Sequence, residues 1–135
     1  MTARIRFIFS LCACACLFLA AGCVSSPVPS DTSDLTPAEI FQKAQDASDR
    51  SDYSVALQYY HLFQEKFHDD AEHQAWASYE IAFIYHKMGD DTKALALFDE
   101  LLARYTSGEK LPEAPRILAE KVKARIQSDL QPPTP

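Results

Sequence analysis

Shifted by 38 residues, the chain falls onto itself. Ala44 lands on Ala82, Asp52 on Asp90, Ala56 on Ala94 and Leu57 on Leu95. Tyr60 lands on Phe98, Phe63 on Leu101 and Phe67 on Tyr105. Small residues recur where two elements must approach closely, and large apolar ones recur where a core must be filled. A unit repeated at fixed spacing cannot bury its apolar face alone, so it stacks on its neighbour and the fold grows in one dimension.

The stops and starts along the chain are helical. Thr36-Pro37-Ala38-Glu39 has a capping-box Thr and Glu with Pro at the first helical position, which together satisfy the free amides of a helix start. The first helix is predicted to run to about Arg50, where Ser51-Asp52 breaks and recaps it. A second covers Tyr53 to about Phe67, and Asp69 or Asp70 caps a third that extends through Met88. Gly89-Asp90-Asp91 ends that helix and begins a fourth, closing near Tyr105. After the loop "TSGEKLPEAP" a fifth helix is predicted from about Pro115 to Asp129, with Ile117, Leu118, Val122 and Ile126 on one stripe and charge on the rest. That one-sidedness suits the last helix of a stack. No window alternates with a period of two, so no sheet is expected. The expected fold class is all-α: a short helical-hairpin solenoid of two hairpins and a C-terminal capping helix over residues 36–130, with residues 131–135 as a frayed tail.

The second unit resembles the tetratricopeptide repeat. Ile81-Ala82-x2-Tyr85 matches the L-G-x2-Y of that family, Gly89-Asp90 its turn, and Ala94-x3-Phe98 its A-x3-F. In the first unit Ala44, Asp52, Ala56-x3-Tyr60 and Phe63 match, while Lys43 and Ala47 replace the Leu and Tyr. The helix-end proline is absent, with His68 and Thr106 in its place, and the period of 38 exceeds the family's usual length of about 34. The extra helical turn is expected around "HDDAEH" and the start of the third helix.

The N-terminus sets the compartment. Arg4 and Arg6 precede fifteen residues, "FIFSLCACACLFLAA", of which only Ser10 is polar. That is a signal layout, shorter than the roughly 20 apolar residues a membrane span needs. Leu19-Ala20-Ala21-Gly22-Cys23 resembles the lipobox of bacterial lipoproteins. The resemblance implies a signal peptide over residues 1–22, cleavage before Cys23, and acyl chains on Cys23. Two or three chains at about 0.8 kcal/mol per buried CH2 anchor stably, where one would be reversible. Cys12, Cys14 and Cys16 fall in the discarded segment, so no disulfide framework is expected. Residues 23–35 then form a lipidated Cys and a Ser/Pro linker whose last twelve residues, fully extended, span up to roughly 40 Å. Val24, not Asp, follows Cys23, which resembles an outer-membrane address on the periplasmic face. Loss of Arg4 and Arg6 leaves 11 basic against 19 acidic residues, a net charge of −8. So acidic a domain has no footprint for nucleic acid; the membrane contact is expected through the lipid anchor. Repeats behind a lipobox resemble the tetratricopeptide lipoproteins of Gram-negative envelopes, a family that includes the lipoprotein subunit of the outer-membrane β-barrel assembly machinery.

Function is then expected in the third helix. Ala77, Ile81, Ile84, Tyr85 and Met88 form one stripe; Trp76, Tyr79 and Phe83 form another, nearly opposite. A helix apolar on two sides is either sandwiched or offers one side to a partner. The family resemblance places Trp76, Tyr79, Phe83, His86 and Lys87 at groove-lining positions, with Phe41, Gln45 and Asp49 as their counterparts one unit earlier. These residues are the candidate partner-binding groove. The expectation is a non-catalytic adaptor for another envelope protein. A homo-oligomer burying the stripe against itself and a small-ligand or metal carrier are the alternatives. His61, His68 and His73 lie near Asp69, Asp70 and Glu72, but His61 and His68 are about 10.5 Å apart along a helix, too far for one ion. No catalytic motif or phosphate-cradling Gly loop is present, and neither an enzyme nor a cofactor is expected.

Overall fold

The computed structural model describes residue 32 and residues 34–131. Five helices follow in order: α1 (Pro37–Asp49), α2 (Tyr53–Lys66), α3 (Ala71–Lys87), α4 (Asp91–Thr106) and α5 (Glu113–Leu130). No strand occurs among the described residues. α1 packs on α2, α2 on α3 and α3 on α4, and α5 closes against both α3 and α4. The fold is all-α, a short solenoid-like stack of two helical hairpins and a final helix.

The helix starts follow the caps. The Thr36 hydroxyl accepts from the Glu39 amide, and the Glu39 carboxylate accepts from the Thr36 amide at 2.8 Å. Of the two candidate caps for α3 it is Asp70 that accepts, from His73 N. Asp90 accepts from Lys93 N, but Asp52, its repeat counterpart, makes no side-chain cap bond. The helix ends repeat with the same spacing. Asp52 N bonds to Ala47 O at 2.8 Å, and Asp90 N to Tyr85 O at 2.9 Å. Both ends need a residue in the left-handed region: Ser51 at φ 60° in one, Gly89 at φ 82° in the other. α1 and α3 end 38 residues apart, but α3 begins four residues earlier than the repeat requires, so the extra turn lies at its start.

The repeat positions are also the buried ones. Ala44 and Ala82, Ala56 and Ala94, and Tyr60 and Phe98 are all fully buried. Two core clusters meet at α3. Its Ala77, Ile81 and Ile84 join α1 and α2, and its Ala75, Tyr79 and Ala82 join α4 and α5. The core extends upstream of the expected boundary at Thr36. Leu35 packs on the first cluster, and Lys66 Nζ donates to the Thr32 carbonyl at 2.6 Å. The expected linker over residues 23–35 is thus packed against the fold at its last residue, Leu35. α5 starts earlier than expected, at Glu113, with Pro115 buried inside its first turn, where a missing amide costs nothing. No described helix is long and apolar enough to cross a membrane.

Candidate partner-binding face

α3 is a sandwiched helix, and sandwiching leaves it two open edges. Its buried residues point left and right into the two clusters. One edge carries His73, Trp76, Glu80, Phe83 and Lys87, at successive spacings of three, four, three and four, a single helical face. None of these five is fully buried. The other edge carries Gln74 and Ser78 and borders a cavity of about 340 Å3 against α2 and α4. The polar groups there are bonded to one another: Gln64 donates to Ser78 Oγ, Ser78 Oγ to Gln74 O, and Gln74 to Gln64 O and Phe67 O.

The sequence-predicted groove residues divide on this geometry. Trp76 and Phe83 remain partly exposed at the rim of the second cluster. Tyr79, between them, is only 7% exposed and belongs to that cluster. Its ring stacks on Phe83 at 5.8 Å, meets Trp76 edge-on and leans on Phe98. Tyr79 is therefore a core residue supporting the two rings, and it is corrected from groove anchor to wall. His86 is half-buried and its Nδ1 lies 2.5 Å from Asp91 Oδ1, which ties it to the start of α4. Lys87 is exposed, with its Nζ 5.6 Å from the Phe83 ring centre. Cys23 lies outside the described residues.

Phe41 faces α3 from α1. Its ring meets Tyr60, Phe63 and His73 edge-on at 5.5, 4.6 and 5.6 Å. Together with Ala38, Gln45, Asp70 and His73 it lines an open cleft of about 560 Å3 between α1 and the start of α3. Gln45 donates to the buried Tyr60 hydroxyl at 2.7 Å, and its amide also favours the charged form of Glu80. Burial and nearby Glu80 push the Tyr60 phenol well up.

Glu80 is the residue that sequence reasoning missed. It is half-buried, and burial holds its carboxyl above the usual range against the opposing Gln45 amide and Lys87, with Asp49 adding a smaller push upward. No ion pair forms at Glu80 among the described residues. The signal was available, since it is the single acid on the stripe between Trp76 and Phe83. Among the described residues no three His, Cys, Asp or Glu side chains converge as a metal site; His73 instead bonds to Asp70 at 2.7 Å. No family model, no curated protein and no solved structure matches this chain.

Proposed function

We propose that this chain is a non-catalytic, lipid-anchored adaptor of tetratricopeptide type, held at the periplasmic face of the outer membrane through Cys23. Its task is to bind another envelope protein along the face shared by α1 and α3. The observation that carries the reading is the pair of rings, Trp76 and Phe83, left partly open beside a cleft lined by Phe41. Large aromatic side chains contribute disproportionately to protein interfaces, and Tyr79 holds these two in place from behind. The lipobox resemblance supports the anchor.

A photoreactive residue at position 76 in living cells should cross-link a second envelope protein, and the same group at position 61, on the opposite edge, should not. Equal capture from both positions would remove the face from consideration. Capture of a second copy of this chain would convert the adaptor into a self-associating protein. Cys23→Ala should move the protein from the membrane fraction to the soluble periplasm; retention would sink the anchor alone.

A further inference from the structure

We propose that the segment bound on this face carries a basic side chain, Lys or Arg, that docks at Glu80. The inference rests on the partner-binding reading above and adds the chemistry of the partner. A half-buried carboxylate without an ion pair is costly to keep, because burial disfavours its charged form and nothing nearby fully offsets that. Its surroundings in the free protein relieve that cost only in part: the Gln45 amide and Lys87 favour the charged form, while Asp49 disfavours it. Asp49 approaches from α1, and Lys87 on its own helix is the single cation acting on it among the described residues. Glu80 nevertheless sits on the open edge of α3 that carries the aromatic rings, between Trp76 and Phe83.

A guanidinium or ammonium arriving there finds three things. It finds two acids, Glu80 and Asp49, to neutralise its charge. It finds the Gln45 amide, whose carbonyl oxygen can accept from it. It finds the Phe83 ring, a face suited to a cation, which Lys87 covers at 5.6 Å in the free protein and must yield. Apolar residues either side of the basic one would cover Trp76 and enter the cleft at Phe41. An acidic segment would meet repulsion at the same point, so the charge at position 80 selects against it as well as for its opposite.

The test is a selection of random twelve-residue peptides displayed on phage against the full chain in non-ionic detergent. Peptide affinities are then read from the fluorescence of Trp76, the single tryptophan. Recovered peptides should be enriched in Lys or Arg flanked by apolar residues. Replacing that basic residue with Gln should weaken binding about tenfold or more. Glu80→Gln in the protein should weaken the same peptides similarly, and Glu80→Lys should reverse the preference toward acidic peptides. Thermal melts of both variants establish that they are folded. Two failures are separable. If binders lose affinity to Phe83→Ala, yet show no basic enrichment and bind Glu80→Gln unchanged, the face is right and the charge inference is overturned. If binders ignore Phe83→Ala and Phe41→Ala as well, the face itself is wrong. Recovery of no binding peptide overturns the inference too.

Discussion

Phe41 and Tyr79 occupy the same position in the two hairpins, and each sets its ring against the same partner. Phe41 meets Tyr60 at 5.5 Å, and Tyr79 meets the equivalent Phe98 at 6.0 Å. Yet Tyr79 is core, while Phe41 stays partly open over a cleft. The neighbours one turn either side differ. Trp76 and Phe83 flank Tyr79, where Ala38 and Gln45 flank Phe41. The backbone repeats, but the side chains fill the site in the second hairpin and leave it empty in the first. A repeat scaffold can thus keep its helices in register and still open a binding cleft at one unit alone.

The largest expected effect tests that comparison directly. Tyr79→Ala should destabilise by about 3–5 kcal/mol, the range for emptying a buried aromatic site. Phe41→Ala should cost less than half as much, because its ring is only partly enclosed. Urea unfolding of the two variants decides it; equal losses would mean that Phe41 is as much core as Tyr79. Trp76→Ala, at the rim, should fall below both.

The next contrast lies in the caps. Asp90→Ala should cost about 1 kcal/mol, since it removes the acceptor for the Lys93 amide. Asp52→Ala should be close to neutral, because Asp52 makes no such bond. Thermal melts that rank the two the other way would show that the repeat's caps do not act as drawn. At the turn before each cap, Ser51→Gly should stabilise by up to about 1 kcal/mol, since it relieves a left-handed Cβ clash that Gly89 never has. Gly89→Ala should destabilise by a similar amount. It finds open space around the new Cβ, so the cost there is backbone strain alone.

These same residues show what the sequence could and could not specify. The 38-residue match located the hairpins, and Gly89-Asp90 and Thr36-Pro37 located helix ends, because turns and caps are local chemistry. Periodicity also found two apolar stripes on α3. It could not say which stripe stays open, since Trp76, Tyr79 and Phe83 share one stripe and differ only in what reaches them. Phe98, nineteen residues beyond Tyr79, encloses it, and that approach depends on how α4 returns along α3. Glu80 was passed over for the opposite reason. A charge on a helix is read as a solvated one, whereas the half-burial of Glu80 and the influence on it of Gln45 and Asp49 from α1 are set by tertiary packing.

The smallest effect concerns pH, and it too sets two positions against each other. Glu39, fully exposed, has its carboxyl held low, first by the Thr36 amide and then by its hydroxyl. The folded chain therefore holds fewer protons there than the unfolded one. The capping box contributes at neutral pH and is lost as pH falls through that lowered value. Glu80 runs the other way. Burial and Asp49 hold its carboxyl high, with Gln45 and Lys87 opposing, while Tyr60 and Tyr79 stay neutral beside it. The folded chain keeps the Glu80 proton to higher pH than the unfolded chain does. Stability then declines as pH rises from the ordinary glutamate range through the raised value, and the penalty remains above it. Glu80→Gln should abolish that decline and raise the melting temperature slightly at pH 7, with no change below the ordinary glutamate range. Glu39→Gln should instead flatten the acid side. If Glu80→Gln lowers stability at pH 7, the carboxylate is doing structural service within the free fold, and it is not being held ready for a cation from outside.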